Sequence, residues 1–379
     1  MNVAAPTPTS IEDATEHQPA ARVALAAAAS EPFHAYLFSG PPGSGKRSAA
    51  RALAAELLAA GAADPDDARR RALADPSPHP DLAWLRPPGL QHLVDEVRER
   101  VIAASVYRPF EGDRRVFVIE GAEAMAEESQ NALLKTLEEP PPFAHLILVT
   151  AEPEALLETV RSRCRPVRFA RLAPEAVEAR LHPGAGDVER RAAARLSDGD
   201  ADRAAFLLTE EGRALRVAVE GFALAAAAGE LGDAPWTALL DAADGAGERE
   251  AAAVRARAEA AEADAAERSG PAARRRAREA EESARRSSRR ARTETLDLGL
   301  ALLAAWARDL AAAGDGGADI ALNADRRAEI ETAASAINPR RARRAAELVM
   351  DTRRRLQVNV SETLALEALA FRLEFLLAG

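Results

Sequence analysis

Between Arg115 and Cys164 two apolar runs, VFVIE (Val116–Glu120) and LILVT (Leu146–Thr150), enclose a helical segment that prolines bring to an end, SQNALLKTLEEPPP (Ser129–Pro142). The stretch closes on Ser162-Arg163-Cys164. Both runs are continuous and not alternating, so each strand is to be buried on both faces, the condition inside a parallel sheet covered by helices. Leu133, Leu134 and Leu137 fall on one face of the intervening helix, which Pro140–Pro142 cannot continue. These elements predict an α/β core with polar groups fixed along one edge.

A third strand, Ala35–Phe38, runs straight into GPPGSGKRS (Gly40–Ser48) and a helical run, Ala49–Ala60. Strand, glycine loop and helix form the context of a phosphate-binding loop. Gly40, Gly43 and Gly45 let backbone N–H groups converge on phosphate oxygens, the helix N-terminus adds positive potential, and Lys46 supplies a point charge. Of 50 basic residues only Lys46 and Lys135 are lysines, a bias that a GC-rich genome explains. A lysine kept in the loop against that background suits a compact ammonium better than a planar fork. The residue after it should be Ser or Thr to hold Mg²⁺, yet here it is Arg47. Ser48 lies one place on, turned by about 100° around the helix, and cannot simply replace it. An arginine there could contact phosphate itself, which leaves open ATP binding without metal-assisted hydrolysis.

A chain of 379 residues is too long for one core and predicts two or three domains. No run approaches the ~20 apolar residues of a membrane span, and Met1–Ser10 has neither a basic flank nor an apolar core for export, so a cytoplasmic protein without membrane contact is expected. The formal charge of −10 argues against a surface coated for nucleic acid, leaving only local or shared DNA contacts. One cysteine, Cys164, excludes an internal disulfide and a multi-cysteine zinc site.

The NALLKTLEEPP segment followed by SRC resembles the AAA+ clamp-loader subunits of bacterial DNA polymerase III. The likeness covers roughly Ala35–Arg171, weakens through the next small domain and is architectural after that. It implies an AAA+ P-loop domain over 1–172, a small helical lid over 173–212 and a helical C-terminal collar over 213–379. Many relatives carry a four-cysteine zinc module here, but Gly61–Pro80 has no cysteine, so no zinc is expected, and His79 in the HPDL segment reads as a turn residue. In hydrolysing relatives the acidic strand ends in Asp-Glu, the first ordering the Mg²⁺ shell and the second activating water. This chain has Glu120-Gly121, and Gly121 offers no base; Glu123 reads as part of the following loop. Arg47 and Gly121 together imply a subunit whose own ATPase is absent, within a complex that is a DNA polymerase. The alternative, an ATP-hydrolysing gamma/tau-type motor, should have Ser or Thr at 47 and an acid at 121. A P-loop protein outside replication would leave NALLKTLEEPP and SRC unexplained.

By the same resemblance Thr150 stands where a γ-phosphate sensor would, although a threonine that merely closes a strand fits equally. Arg163 corresponds to an arginine finger reaching a neighbour's ATP site, set against the reading of a generic surface arginine. Cys164 reads as a small buried residue and not a nucleophile. In Leu196–Leu208, Asp202 and Arg203 both remain candidates for a second sensor position. The implied partners are gamma/tau and delta subunits in a hetero-oligomer, the beta sliding clamp, and primed DNA through the complex. From Gly212 onward the chain reads as Ala/Leu/Arg helices, with a break at Ser269-Gly270-Pro271 that predicts a pair or a projecting hairpin. Arg274–Arg292 could touch phosphate or form a solvated face, and Leu298, Leu302, Leu364, Leu369 and Leu373 are expected core anchors.

Overall fold

The computed structural model describes residues 9–87, 89, 91–264, 271–356 and 361–378. Five strands form one sheet: β1 (Ala35–Ser39), β2 (Leu82–Leu85), β3 (Arg115–Glu120), β4 (Ala144–Thr150) and β5 (Arg165–Arg168). Their order is β2-β3-β4-β1-β5, and every pairing is parallel. Alternate residues of the apolar runs feed opposite cores. Val116 and Val118 join Tyr36, Phe38, Leu53, Leu57 and Ile147 on one side, while Phe117 and Ile119 join Leu133, Leu137, Leu146 and Leu148 on the other. Each such side chain, fully buried, contributes about 1.5–3 kcal/mol against exposure. Burial on both faces is what the unbroken apolar strands require.

The register decides where chemistry can sit. Ser39 pairs with Thr150, and Glu120 with Val149, so the ends of β1, β3 and β4 share one edge of the sheet. The glycine loop follows β1 at that edge. Arg165 pairs with Tyr36 at the start of β5, which puts Arg163 just before the opposite edge.

Several boundaries differ from the sequence reading. The glycine-loop helix starts at Lys46 and ends at Ala59, and the proline-closed helix runs Glu127–Glu138. Val94–Ala103 is helical, its last six residues forming a wider π turn. The stretch after β4 is not one helix but a 3-10 turn, Pro153–Ala155, and one α turn, Glu158–Arg161. The break has a cause: the buried side chain of Gln130 accepts the Leu157 N–H at 2.7 Å and donates to the carbonyls of Met125 and Ala155 at 3.1 and 3.3 Å. Leu156 is thereby turned into the core. β5 begins at Arg165, where its ladder with β1 starts.

The chain divides into two compact units, one holding the sheet through Ala176 together with Gly199–Ala201, the other Val177–Asp198 and the residues from Asp202 on. In the second, Thr237–Asp264 and Pro271–Gly314 are two long helices. The ion pairs Arg255–Glu281 and Arg292–Asp244 show them to be antiparallel, as the hairpin reading expected. Ser269 and Gly270 lie outside the described residues. Arginines of the basic stretch pair along their own helix, as in Arg275–Glu279, Arg285–Glu281 and Arg286–Glu282. Leu298, Leu302, Leu369 and Leu373 are buried, but Leu364 is 64% exposed and is no core anchor. The buried stripe of the last helix (Glu362–Leu377) is Leu366, Leu369, Ala370, Leu373 and Leu377, and Leu364, about 200° from Leu366, faces away from it. Among the described residues no helix is long and apolar enough to cross a membrane.

Candidate nucleotide and interface site

Gly40–Ser44 turn off the end of β1 through left-handed glycines, with Gly45 (φ 93°) capping the helix that Lys46 begins. Gly43 (φ 65°) could carry no side chain: a Cβ would fall 2.2 Å from Asp200. The Lys46 ammonium is buried and donates to the carbonyls of Gly40 and Pro41 at 2.6 and 2.5 Å, with Ser44 Oγ at 3.4 Å. Burial lowers its pKa to about 8, although the charges of Glu123 and Asp200 work the other way. Gln18, also buried, donates to the Ser44 and Ala170 carbonyls at 3.0 and 2.7 Å and accepts the Ala170 N–H, tying the loop to the chain beyond β5. Ser48 is half-buried in the first turn of the helix.

Arg47 turns away from the loop toward two carboxylates. Its Nη2 lies 2.7 Å from Asp75 Oδ2 and its Nε 3.6 Å from Glu120 Oε2. Arg86 bridges the same pair, with Nε 2.9 Å from Glu120 Oε2 and Nη2 2.7 Å from Asp75 Oδ2. Trp84 Nε1 donates to Glu120 Oε2 at 2.9 Å, and the Arg51 guanidinium stacks 4.3 Å over the Trp84 ring while reaching Asp75 at 3.2 Å. Burial raises the Asp75 pKa, but the Arg86 hydrogen bond and the charges of Arg51, Arg86 and Arg47 outweigh it, and the net shift is downward. These groups do not fit the Mg²⁺ that P-loop folds imply: the hydroxyl position carries a guanidinium, and the oxygen of the acid is ringed by N–H donors. Gly121 has φ 67° and starts a 3-10 turn over Ala122–Ala124. The backbone at this position therefore disfavours any side chain that could act as a base. Glu123 Oε1 accepts the Ala151 N–H at 3.3 Å.

Thr150, buried at the end of β4, accepts the Glu152 N–H through Oγ1 at 3.0 Å, a turn-closing bond next to the glycine loop. Arg163 lies elsewhere. Its side chain, 34% exposed, donates to the Thr159 carbonyl at 2.8 Å and pairs with Glu138 at 2.6 Å. Cys164 beside it is buried, and burial pushes its thiol up to about 12. Asp202 and Arg203 stand in the first turn of Ala201–Leu207. The structure thus gathers Gly40, Gly43, Gly45, Lys46, Arg47, Ser48, Glu120 and Thr150 at one edge of the sheet and sets Arg163 at the other. Asp75, Trp84, Arg86, Gln130 and Glu138 join these groups without having been singled out in sequence. Gln130 and Glu138 lie inside the SQNALLKTLEEPP segment, which was the available pointer.

A glycine loop after the first strand, an acid closing a neighbouring strand and an all-parallel five-stranded sheet define an α/β domain of the P-loop type. Residues 17–173 match the family model described as DNA polymerase III, delta subunit. Over 151 residues the chain is 34% identical to the DNA polymerase III subunit delta' of Bacillus subtilis, spanning 39% of this chain and 45% of that one. Over 138 residues it is 41% identical to the delta' of Pseudomonas aeruginosa, spanning 35% and 41%. A gamma/tau subunit from Mycobacterium bovis is 37% identical over 152 residues, spanning 39% and 26%. Among solved structures, a DNA polymerase III gamma subunit-related protein from Thermotoga maritima superposes with a TM-score of 0.48 at 16% identity, covering 94% of this chain and 99% of that one. The chain spans less than half the length of the curated relatives it matches. Residues 17–173 are thus similar to the DNA polymerase III delta family and to curated delta' and gamma/tau subunits.

Proposed function

We propose that this chain is a largely non-hydrolysing subunit of the DNA polymerase III clamp loader, and that Arg163 acts as an arginine finger in the ATP site of an adjoining subunit. The observation that carries this reading is register. Arg165 pairs with Tyr36, four residues before Gly40, so the SRC turn and the glycine loop are separated by about 13 Å of strand at ~3.3 Å per residue. Arg163 therefore points away from its own loop, and a cation placed there serves another chain's phosphate. Its tie to Glu138 is between partly exposed groups, worth at most ~1 kcal/mol, and yields readily to a stronger anion.

The rest follows from the same reading. The P-loop takes ATP without cutting it efficiently, since Arg47 and Gly121 stand where hydroxyl and base are required. Residues 1–172 form the AAA+ domain, 173–212 a lid and 213–379 a collar. The partners are gamma/tau and delta subunits, and the assembled cytoplasmic complex opens the beta sliding clamp and places it on primed DNA. Two measurements test the proposal. The isolated chain should show negligible DNA-stimulated ATPase. In a reconstituted loader, Arg163→Ala should lower turnover at the affected site by roughly 10³-fold. An unchanged rate in the assembled complex removes the role in trans.

A further inference from the structure

We infer that Arg47 fills, with its own charge, the place where a P-loop seats its divalent cation, so that any nucleotide this loop holds is held without one. The position is the first after Lys46, where the metal-binding hydroxyl belongs. Its guanidinium does what such an ion would do for the protein: it joins the first turn of the loop helix to the acid that closes β3, with Nε 3.6 Å from Glu120 Oε2. A second guanidinium completes the substitution. Arg86 meets the same Glu120 oxygen at 2.9 Å and the same Asp75 oxygen at 2.7 Å as Arg47 does.

Trp84 Nε1 and Arg86 Nε, each at 2.9 Å, fill the two lone pairs of one carboxylate oxygen, and the Arg47 guanidinium stands 3.6 Å beyond as a charge. That oxygen is taken. A divalent ion needs oxygen ligands at close range in near-octahedral order, and it would have to displace Arg47 and then sit against Arg86, with Arg51 behind Asp75 at 3.2 Å. Arg47, Arg86 and Arg51 face Asp75 and Glu120, while Lys46 is drawn toward Glu123 and Asp200. Four cations thus stand against four carboxylates, and the cluster needs no further cation for neutrality. The part of the inference about nucleotide rests on the proposed function of the loop; the part about the metal seat does not.

The test titrates the full chain with a fluorescent ATP analogue in Mg²⁺ and in EDTA, and follows Mn²⁺ uptake by electron paramagnetic resonance. The native chain should bind equally in both buffers and take up no Mn²⁺. Arg47→Ser, which restores the hydroxyl and removes one cation from beside Glu120, should bind at least about tenfold tighter with Mg²⁺ than with EDTA, and should take up Mn²⁺ with ATP. Arg47→Lys keeps the charge and should remain indifferent to metal. Mg²⁺-dependent binding by the native chain overturns the inference, as does an Arg47→Ser protein with a native circular dichroism spectrum that gains neither metal nor metal-dependent affinity. If the native chain binds no nucleotide in either buffer, the proposed ATP binding is lost, while a gain of metal by Arg47→Ser still upholds the seat.

Discussion

Replacing Asp81 by Asn tests whether the edge of the sheet opposite the glycine loop depends on a single buried carboxylate. The Asp81 side chain is wholly buried at the start of β2; Oδ1 accepts the Phe110 N–H at 2.9 Å and Oδ2 the Glu111 N–H at 2.8 Å, with Arg115 Nε 3.5 Å away. Asparagine preserves the shape but turns one acceptor into a donor and removes the charge facing Arg115. Breaking a buried pair by neutralising one partner costs about 3–5 kcal/mol. Arg115 keeps bonds to the carbonyls of Ala104 and Tyr107 at 3.0 and 3.4 Å, so the lower end applies. At roughly 2–4 °C per kcal/mol for a unit of this size, about 3 kcal/mol lowers its melting temperature by ~6–12 °C. Hydrogen exchange supplies the local readout, because the amides of Phe110 and Glu111 should lose protection first. A shift below about 2 °C with both amides still protected would refute this reasoning.

Two further outcomes follow from buried polar groups. Lys46 is the first: its folded pKa of about 8 lies below the ordinary 10.5, so between those values the unfolded chain holds more protons and stability rises with pH. The native protein should gain on Lys46→Met by up to about 1.4 kcal/mol per pH unit across that window; a flat or falling difference in urea midpoints between pH 8 and about 9.5 would contradict burial as the cause. Gln130→Leu should orphan the Leu157 N–H and two carbonyls, at about 1–3 kcal/mol for each group left without water. The Leu157 amide should then exchange faster, and loader turnover should fall by less than in Arg163→Ala; unchanged exchange would show that Gln130 does not hold the turn.

Much of the P-loop domain was readable because its determinants are local. Unbroken apolar strands demanded cover on both faces, glycines at positive φ demanded a loop at the end of β1, and Pro140–Pro142 ended a helix where they had to. What escaped was set by contacts across the chain. Nothing around Asp75 hints that it will share Arg47 and Arg86 with Glu120, which is 45 positions away, nor does the stretch after β4 reveal that Gln130 will hold it as two separate turns. Leu364 was misplaced for a simpler reason: a helix rich in leucine offers several apolar stripes, and only packing chooses among them.

The one thiol of the chain is buried, with its ionisation pushed up to about 12, so at neutral pH almost none of it is present as the reactive thiolate. To a maleimide or a spin-label reagent the native surface is therefore effectively blank. A cysteine introduced at Glu138, on the rim beside Arg163, becomes the sole addressable handle, and distances measured from it would report the proposed assembly without first stripping Cys164 from the core.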